Sequence, residues 1–278
     1  MGTCRLLFNN LAWNSTFQAM SGQGAPLNLD GWSSLLDPSP TNQVRLPVFG
    51  SPSMVDFYVD LGGYYPVDTV ALINTSLLTA GAQTFSVMGY LDPPLSTMEA
   101  TLPTAYFSAS TLLSGTWRAA VRGQAVVALI SSAQYVRYVR ITVFTNDPYV
   151  DIGTVVVGGA WRPTYNFDQG YMKGRNDLGI RETAAQTGVS FNYHGAKLRV
   201  YQFSMSMLSP TDVAGILDQL DTVAGATRDV LFVPDDGLSY SDQARDTIYG
   251  SCRPVGESLS SQFFPSLLQR TFKVTERL

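Results

Sequence analysis

The sequence is poor in charged residues and especially in lysine. Charged residues make up 14% of the 278 positions, against roughly 25% in typical soluble domains. Lys173, Lys197 and Lys273 are the only lysines among the 18 basic residues. Because interfaces are depleted in lysine and enriched in Arg and Tyr, this bias favours a protein that assembles permanently with others. The net charge of −4 and the absence of a basic cluster argue against nucleic-acid-specific binding.

The residues and motifs of the common enzymes are also missing. His194 is the only histidine, and it precedes a predicted strand, where a turn position explains it. The sequence contains no nucleophile elbow, zinc-protease motif, Walker loop or dinucleotide fingerprint. Asp235 and Asp236 form the densest carboxylate pair, but the following Gly237 favours a turn over glycoside cleavage. We therefore expect no enzyme activity, no catalytic residue and no cofactor.

Cysteine and long apolar runs are scarce. Cys4 and Cys252 show neither metal-binding nor redox spacing, so we expect two reduced, partly buried thiols and no metal site. No apolar run reaches the length of a membrane span. The first residues, MGTCRLLFNNLAWN, lack the long apolar region of a signal peptide, so we expect synthesis in the cytoplasm.

Short apolar runs separated by turn residues fill the first part of the chain. These runs are LLFNNLAW, MVDFYVDL, DTVALINT, TFSVMGYL, AVVALISS, YVRYVRITVF and IGTVVVGGAW. They are rich in Val, Ile, Phe and Tyr, they often alternate in polarity, and Gly, Pro, Asn and Asp separate them. This pattern is typical of an antiparallel β-sandwich or jelly roll. It predicts a mainly β protein whose first domain spans residues 1–160.

A different pattern begins after Trp161. Residues 161–196 predict an extended connecting arm, and residues 197–278 a smaller α+β domain. KLRVYQFSMSML reads as a strand with one apolar face. Ser209, Pro210 and Asp212 then predict the start of a helix that ends at Gly225. DVLFVPD, IYGSCRPV and TFKVTERL predict further strands, whereas FFPSLLQRTF fits either an interrupted strand or a short helix.

One polar loop in the first domain has the residues of a ligand site. The segment NLDGWSSLLDPSPTNQVRLP carries Asp30, Trp32, Asp37 and Thr41. Grouped oxygen ligands bind Ca²⁺, and a tryptophan beside them stacks on a sugar ring. The alternative is two successive turns with the indole covering the end of the sandwich. A set of tyrosines offers a second surface, or else fills cores and interfaces: Tyr64, Tyr65, Tyr135, Tyr138 and Tyr149.

The ordered succession of these segments resembles known families. LFNNLAWNSTFQAMSG, the NLDGW loop and FYVDLGGYYPVDTVALINTSLLTAGAQTFSVMGYLDP are similar to the galactose-binding or discoidin-like jelly roll. GGAWRPTYNFDQG, KLRVYQFSMSMLSPTDVAGILDQLDTVAG, RDVLFVPDD, IYGSC and FKVTE resemble the C-terminal part of minor tail proteins, of the distal-tail or tail-tip type, from long-tailed bacteriophages. There the α+β domain is similar to the tail-tube fold. In distal tail proteins the ring-forming part usually comes first, whereas here the order is reversed.

The resemblance implies a structural role in a virion. It implies a ring or collar of copies at the tail tip that joins the tail tube to hub and fibre proteins. The alternative is an adhesin whose jelly roll binds host cell-surface glycan. We expect the aromatic arm to contact a neighbouring subunit through Trp161, Tyr165, Phe167 and Tyr171, so deleting residues 166–174 should weaken assembly more than folding.

Overall fold

The structure is a computed structural model dominated by antiparallel β-strands. It describes residues 2–20, 26–27, 35, 42–48, 53–78, 83–91, 107–113, 125–183, 190–193, 195–213, 217–224, 228–238, 240–255, 261–264 and 267–277. The mainly β class predicted from the sequence is confirmed.

The strands are numbered along the chain. The first ten are β1 (Arg5–Leu7), β2 (Thr16–Met20), β3 (Pro26–Leu27), β4 (Val44–Pro47), β5 (Met54–Ile73), β6 (Gln83–Tyr90), β7 (Phe107–Leu113), β8 (Ala125–Phe144), β9 (Tyr149–Ile152) and β10 (Thr154–Gly158). The next eight are β11 (Met172–Asp177), β12 (Ile180–Thr183), β13 (Ser190–Tyr193), β14 (Lys197–Leu208), β15 (Asp229–Val233), β16 (Ile248–Pro254), β17 (Ser261–Phe264) and β18 (Leu267–Glu276). The helical elements are 3₁₀ turns at Leu11–Asn14 and Ser76–Leu78, α1 (Pro210–Asp212), a π-helical turn at Leu220–Ala224, and α2 (Tyr240–Asp246).

The first sheet folds onto itself as a sandwich. Its strand order is β3-β2-β5-β8-β6-β7, and β10 pairs with β5. The long strand β5 has different neighbours along its length. Its residues 56–60 pair with β2, whereas its residues 69–73 pair with β10. Register breaks after Asp60 and after Val67 separate the two halves of β5. Phe57 and Leu72, one from each half, lie in the same fully buried core, so the halves face each other across it.

The second sheet contains the C-terminal strands and carries the helix on one face. Its order is β1-β15-β16-β18-β14-β11, with β17 paired to β18. Tyr201, Phe203 and Phe232 form part of a core that also buries Leu217 and Leu220 from the helical segment. Leu217 and the π-helical turn therefore cover this face of the sheet.

The two sheets share a third apolar core. Leu231 and Tyr249 of the second sheet pack with Ala71, Val127 and Val156 of the sandwich. Alternate residues of β5, β8 and β10 therefore point into the sandwich core or into this shared core. Because both faces of these strands are covered, their sequences are continuous apolar runs. An example is TVVVG of β10, whose five residues are all buried.

The first strand lies outside the sandwich sheet. Residues 1–160 were predicted to form the jelly roll, but β1 pairs antiparallel with β15 of the second sheet. The chain therefore begins in the second sheet and enters the sandwich at the Leu11–Asn14 turn. LLFNNLAW was predicted to be one strand, and only its first two residues belong to a strand. Asn10 instead begins the following turn, because its side chain accepts a hydrogen bond from the backbone N–H of Ala12.

The segment 161–196 contains more regular structure than the predicted extended arm. Strand β11 pairs with β14 over six residues, and β12 and β13 form a separate two-stranded hairpin. Phe167 packs against the second core, and residues 172–174 belong to β11. Deleting residues 166–174 would remove Phe167 from a core and three residues from an edge strand, so this deletion would affect folding as well as any assembly.

Local sequence signals placed the remaining C-terminal elements well. The predicted helix start at Ser209 is confirmed, and Ser209 and Asp212 form a capping box: the Ser209 hydroxyl accepts a hydrogen bond from the Asp212 backbone N–H at 3.1 Å. The predicted end at Gly225 lies outside the described residues. FFPSLLQRTF proves to be two strands, β17 and β18, and not a helix. Helix α2 was not predicted, since it is only seven residues long and has little apolar periodicity.

Candidate functional site

The outer face of the sandwich sheet carries polar and aromatic residues in rows. In β5, Asp56, Tyr58 and Asp60 alternate with core residues such as Phe57. The cross-strand partners of the outer residues on β8 are Thr142, Arg140 and Tyr138, in that order. Tyr90 of β6 lies on the other side of Tyr138. Since opposite residues in an antiparallel pair project to the same face, these side chains form one surface.

Two carboxylate–guanidinium pairs hold this surface together. Arg137 binds Asp60 through two hydrogen bonds, Nε to Oδ1 at 2.9 Å and Nη2 to Oδ2 at 3.1 Å. Arg140 binds Asp56, which is 5% exposed, and Asp56 also accepts a hydrogen bond from the Thr142 hydroxyl at 3.1 Å. Each pair is neutral as a whole; Asp56 is buried, whereas the side chains of Arg137 and Asp60 are partly exposed.

Exposed tyrosines lie close to Asp60 and Arg137 along β5 and β8. Tyr64 is 58% exposed, Tyr65 41% and Tyr135 66%. Tyr65 and Tyr135 lie on paired segments, since their Cα partners are Val136 and Pro66. The guanidinium carbon of Arg137 lies 5.0 Å from the centroid of the Tyr138 ring, which in turn packs edge-on against Tyr58 at 6.2 Å. We call Tyr58, Asp60, Tyr64, Tyr65, Tyr135, Arg137 and Tyr138 the tyrosine cluster.

A backbone irregularity presents this cluster to solvent. The register of β5 against β8 breaks between Asp60 and Tyr65. Gly62 has a φ of 74°, a conformation that side-chain-bearing residues rarely adopt, and its backbone N–H donates to Asp60 Oδ1 at 2.8 Å. The bulge therefore fixes the Asp60 carboxylate and turns Tyr64 away from the core.

The environment keeps Asp60 charged and Tyr58 neutral. Burial alone would raise the pKa of Asp60, but hydrogen bonds from Arg137 and from the Gly62 backbone lower it below its usual value. The same hydrogen bond raises the pKa of Arg137. Partial burial, together with the charge of Asp60, raises the pKa of Tyr58. At neutral pH the cluster thus presents a carboxylate, a guanidinium and phenol hydroxyls as acceptors and donors.

The loop residues predicted as a ligand site, Asp30, Trp32, Asp37 and Thr41, lie outside the described residues. Leu35, between them in sequence, is fully buried, and its carbonyl accepts a hydrogen bond from the Thr154 hydroxyl at 3.0 Å. Within the described part of the chain, no group of three or more His, Cys, Asp or Glu side chains is arranged to hold a metal ion.

The four predicted assembly residues divide into two pairs. Trp161 is 8% exposed and forms a backbone bridge with Leu6, with both hydrogen bonds at 2.9 Å. Phe167 contacts Phe203, with ring centroids 5.3 Å apart. Tyr165 and Tyr171 are 53% and 49% exposed. Trp161 and Phe167 therefore pack within their own chain, and Tyr165 and Tyr171 face solvent.

The residues considered for catalysis have structural contacts. Asp235 accepts hydrogen bonds from the backbone N–H groups of Gly2 and Gly237, both at 2.9 Å, as expected of a turn residue. Asp236 binds Arg5 Nε at 2.9 Å. Cys4 and Cys252 are free and buried, and burial raises the pKa of each thiol to about 12. Such thiols are poor nucleophiles, and His194 lies outside the described residues.

Sequence reasoning noticed the tyrosines but missed the charged pair among them. Asp60 and Arg137 are 77 positions apart, so no local motif links them. The usable signal was the alternation of Asp56, Tyr58 and Asp60 with apolar residues, which indicates a polar outer face on a strand.

The comparisons with known proteins find solved structures that are similar to part of this chain. No protein-family model matches the chain, and no curated protein matches it. Chitosan-binding module 1 of a chitosanase/glucanase from Paenibacillus sp. IK-5 is 23% identical, with a TM-score of 0.37 over 54% of this chain and 99% of the module. Module 2 of the same enzyme, in complex with chitotriose, is 19% identical, with a TM-score of 0.37 over 54% of this chain and all of the module.

A third similar structure is a fucose binding module of Streptococcus pneumoniae. It is 12% identical, with a TM-score of 0.34 over 54% of this chain and 98% of the module. Because these TM-scores are low, the sandwich is described from the strand order and register of this chain. No helix within the described ranges is long and apolar enough to span a membrane.

Proposed function

We propose that the protein is a non-catalytic glycan-binding protein and that the tyrosine cluster is its sugar site. The observation that carries this proposal is the exposure of Tyr64, Tyr65 and Tyr135 on the segments that follow Asp60 and precede Arg137. Flat aromatic rings pack against the C–H face of a sugar, and aromatic residues dominate the energy of such contacts. A carboxylate and a guanidinium beside the rings accept from and donate to sugar hydroxyls.

Preorganisation strengthens the proposed site. The Asp60 carboxylate is already fixed by Arg137 and by the Gly62 N–H, and the Tyr138 ring lies under the guanidinium. Binding a sugar therefore orders few additional side chains, which reduces the entropic cost of association. The proposal includes the finer fold assignment, in which the sandwich is a galactose-binding or discoidin-like jelly roll and the natural ligand is host cell-surface glycan.

The test is a binding measurement on a glycan array and on purified cell-envelope polysaccharide. We expect Tyr64→Ala and Tyr135→Ala each to weaken binding about fivefold, since the loss of one ring contact is worth about 1 kcal/mol. Tyr193→Ala is the matched control, because Tyr193 is 60% exposed but lies on the β12–β13 hairpin. Trp32→Ala tests the loop as an alternative site in the same domain. Unchanged binding in both cluster variants would refute the tyrosine cluster as the sugar site.

A second candidate function is assembly, and a separate observation favours it. Exposed apolar side chains concentrate between residues 165 and 193; they are Tyr165, Tyr171, Met172, Leu178, Ile180 and Tyr193. Strand β11 is an edge of the second sheet, and all six of its residues are exposed. An exposed edge strand beside apolar residues is a favourable site for another protein chain.

In this candidate the protein forms a ring or collar at a phage tail tip, with tube, hub and fibre proteins as partners and the virion as its location. The β1 edge of the sheet is bridged by Trp161, so neighbouring copies would meet at the β11 edge and the hairpin. Size-exclusion chromatography with light scattering tests the ring. The double variant Ile180→Ser with Tyr193→Ser should dissociate it, and a wild-type protein that is monomeric and absent from purified virions would exclude this role.

A further inference from the structure

The edge strand β11 directs part of its backbone away from the sheet. The backbone N–H of Leu178 donates to the carbonyl of Ala196 at 3.0 Å, which continues the register of β11 against β14. Because hydrogen-bonded pairs alternate in an antiparallel ladder, the even-numbered residues of β11 direct their N–H and C=O groups toward β14. The odd-numbered residues, Lys173, Arg175 and Asp177, therefore direct theirs outward, where no described strand lies. A further strand would satisfy these donors and acceptors.

The charges along this outer row complement one another when the strand direction is reversed. Lys173 is neutralised within the chain by Asp246 of α2. No acidic side chain of the described residues forms an ion pair with Arg175. Asp177, two positions further on, is exposed and pairs with the exposed Lys197. The row lacks a carboxylate opposite Arg175 and has room for a second cation at Asp177, and an antiparallel copy of β11 supplies both.

One register of two antiparallel β11 strands brings unlike charges together without a like-charged pair. It places Arg175 of each copy opposite Asp177 of the other, and the two Asn176 residues face each other at the two-fold axis. Since Arg175 and Asp177 direct their backbone groups outward, they then form hydrogen-bonded pairs as well as ion pairs. A shift of two residues places Arg175 opposite Arg175, or Asp177 opposite Asp177, and such like-charged pairs destabilise a sheet. Charge therefore selects this register.

The shape of the sheet face agrees with the same register. It places Leu178 of each copy opposite Gly174 of the other, and alternation along the strand puts both residues on one face. A Cβ placed on Gly174 would meet no atom within 4 Å, and the groove lined by Gly174 and Val200 has a volume of about 580 Å³. Leu178 is 50% exposed in the single chain. In the paired state, Leu178 of one copy fills the open space over Gly174 of the other.

We propose that the partner of the β11 edge is a second copy of this chain, and that two copies form a closed dimer through residues 174–178. The contact is isologous, since the same strand contributes from both copies and the two sheets join into one. The ring of the second candidate function instead needs two different surfaces to meet. Each copy carries one tyrosine cluster, so the dimer is bivalent toward a glycan surface, a consequence that rests on the proposed sugar site.

The experiment is sedimentation velocity over a concentration series, which needs no glycan. We expect the wild type to convert from a monomer to a species of twice the molar mass as its concentration rises. Gly174→Leu should abolish the dimer while the protein stays folded, because the new side chain enters open space and takes the place of Leu178 of the second copy. Arg228→Asp is the matched control and should dimerise as the wild type does. Arg228 is exposed and precedes β15, on the far side of the sheet from β11.

A pair of charge reversals tests the register. Arg175→Asp puts carboxylates in opposite positions, and Asp177→Arg puts guanidinium groups there, so each variant alone should be monomeric. When the two variants are mixed in equal amounts, one copy supplies carboxylates and the other supplies guanidinium groups. A mixed dimer should therefore form, and its formation also shows that both variants are folded. The dimer should weaken as salt increases, since the contact is partly ionic.

The outcomes that overturn the proposal are separate from those that concern the tyrosine cluster. A wild type that stays monomeric at every concentration removes the contact, and a larger closed oligomer replaces it with a ring. A dimer of either charge-reversal variant alone, a monomeric mixture of the two, or a dimer of Gly174→Leu removes the register. Tyr64→Ala should dimerise as the wild type does, so a failed sugar site leaves the dimer unaffected.

Discussion

At the scale of single residues, Asp68 joins the two units of the protein. It is 3% exposed and accepts hydrogen bonds from the Thr69 hydroxyl at 2.8 Å, the Ala160 backbone at 2.8 Å and Arg162 at 3.0 Å. Arg5, on the first strand of the second sheet, lies 3.7 Å from the same carboxylate and binds Asp236 at 2.9 Å. Burial lowers the pKa of Arg5, and the hydrogen bond to Asp236 opposes that effect.

We expect Asp68→Asn to destabilise the protein by about 3 kcal/mol, because the buried Arg5 and the partly buried Arg162 then lack their shared counter-charge. Urea denaturation followed by circular dichroism measures the change. Asp177→Asn is the control: its ion pair with Lys197 is exposed on both sides, so we expect a change below about 0.5 kcal/mol. Equal effects of the two substitutions would show that Asp68 has no special role at the junction.

At the scale of elements, the helix after β14 begins where local chemistry requires. The Ser209 hydroxyl donates to Asp212 Oδ2 at 2.7 Å, and the Ser209 backbone N–H donates to the same oxygen at 3.2 Å. Pro210 occupies the first turn, where its missing N–H costs nothing. Leu217 and Leu220 then reach the core, and Asp221 binds Arg270 of β18 at 2.7 Å. The cap sets the helix start and thereby places these side chains over the sheet.

Removing the cap should destabilise the whole protein modestly. We expect Ser209→Ala to cost about 1 kcal/mol, because the first-turn N–H groups lose their acceptor. Thermal unfolding followed by circular dichroism measures the loss. Thr211→Ala, at an exposed position in the same turn, is the control and should stay within about 0.5 kcal/mol of the wild type. A loss as large for Thr211→Ala as for Ser209→Ala would contradict a specific capping role.

At the scale of the whole molecule, the sandwich and the second sheet share a core. Leu7, Ala71, Val156, Leu231 and Tyr249 are all buried at their junction. The chain also crosses between the units twice, through β1 at the start and through the segment after β10. A junction that is both apolar and crossed by the N-terminal strand differs from the polar, separable contact that most domains make.

We therefore expect one cooperative unfolding transition rather than two. Differential scanning calorimetry should give a calorimetric enthalpy equal to the van't Hoff enthalpy. Leu7→Ala should lower stability by about 3 kcal/mol through the cavity it leaves, and the transition should stay single. Met207→Ala, at a 44% exposed position, is the control and should change little. Two resolved transitions in the wild type would show that the units unfold independently.

The sequence alone determined the local features. Turn residues and alternating polarity indicated the strands, and Ser209, Pro210 and Asp212 indicated the helix start, because neighbouring residues fix these properties. Only the tertiary structure decided that β1 pairs with β15, where Leu6 lies opposite Phe232, 226 positions further along the chain. It also decided that β10 is covered on both faces and that Asp60 forms an ion pair with Arg137, 77 positions away. The physical reason is that strand pairing and sheet stacking depend on partners distant in sequence, and an apolar run such as TVVVG fits several neighbours equally well.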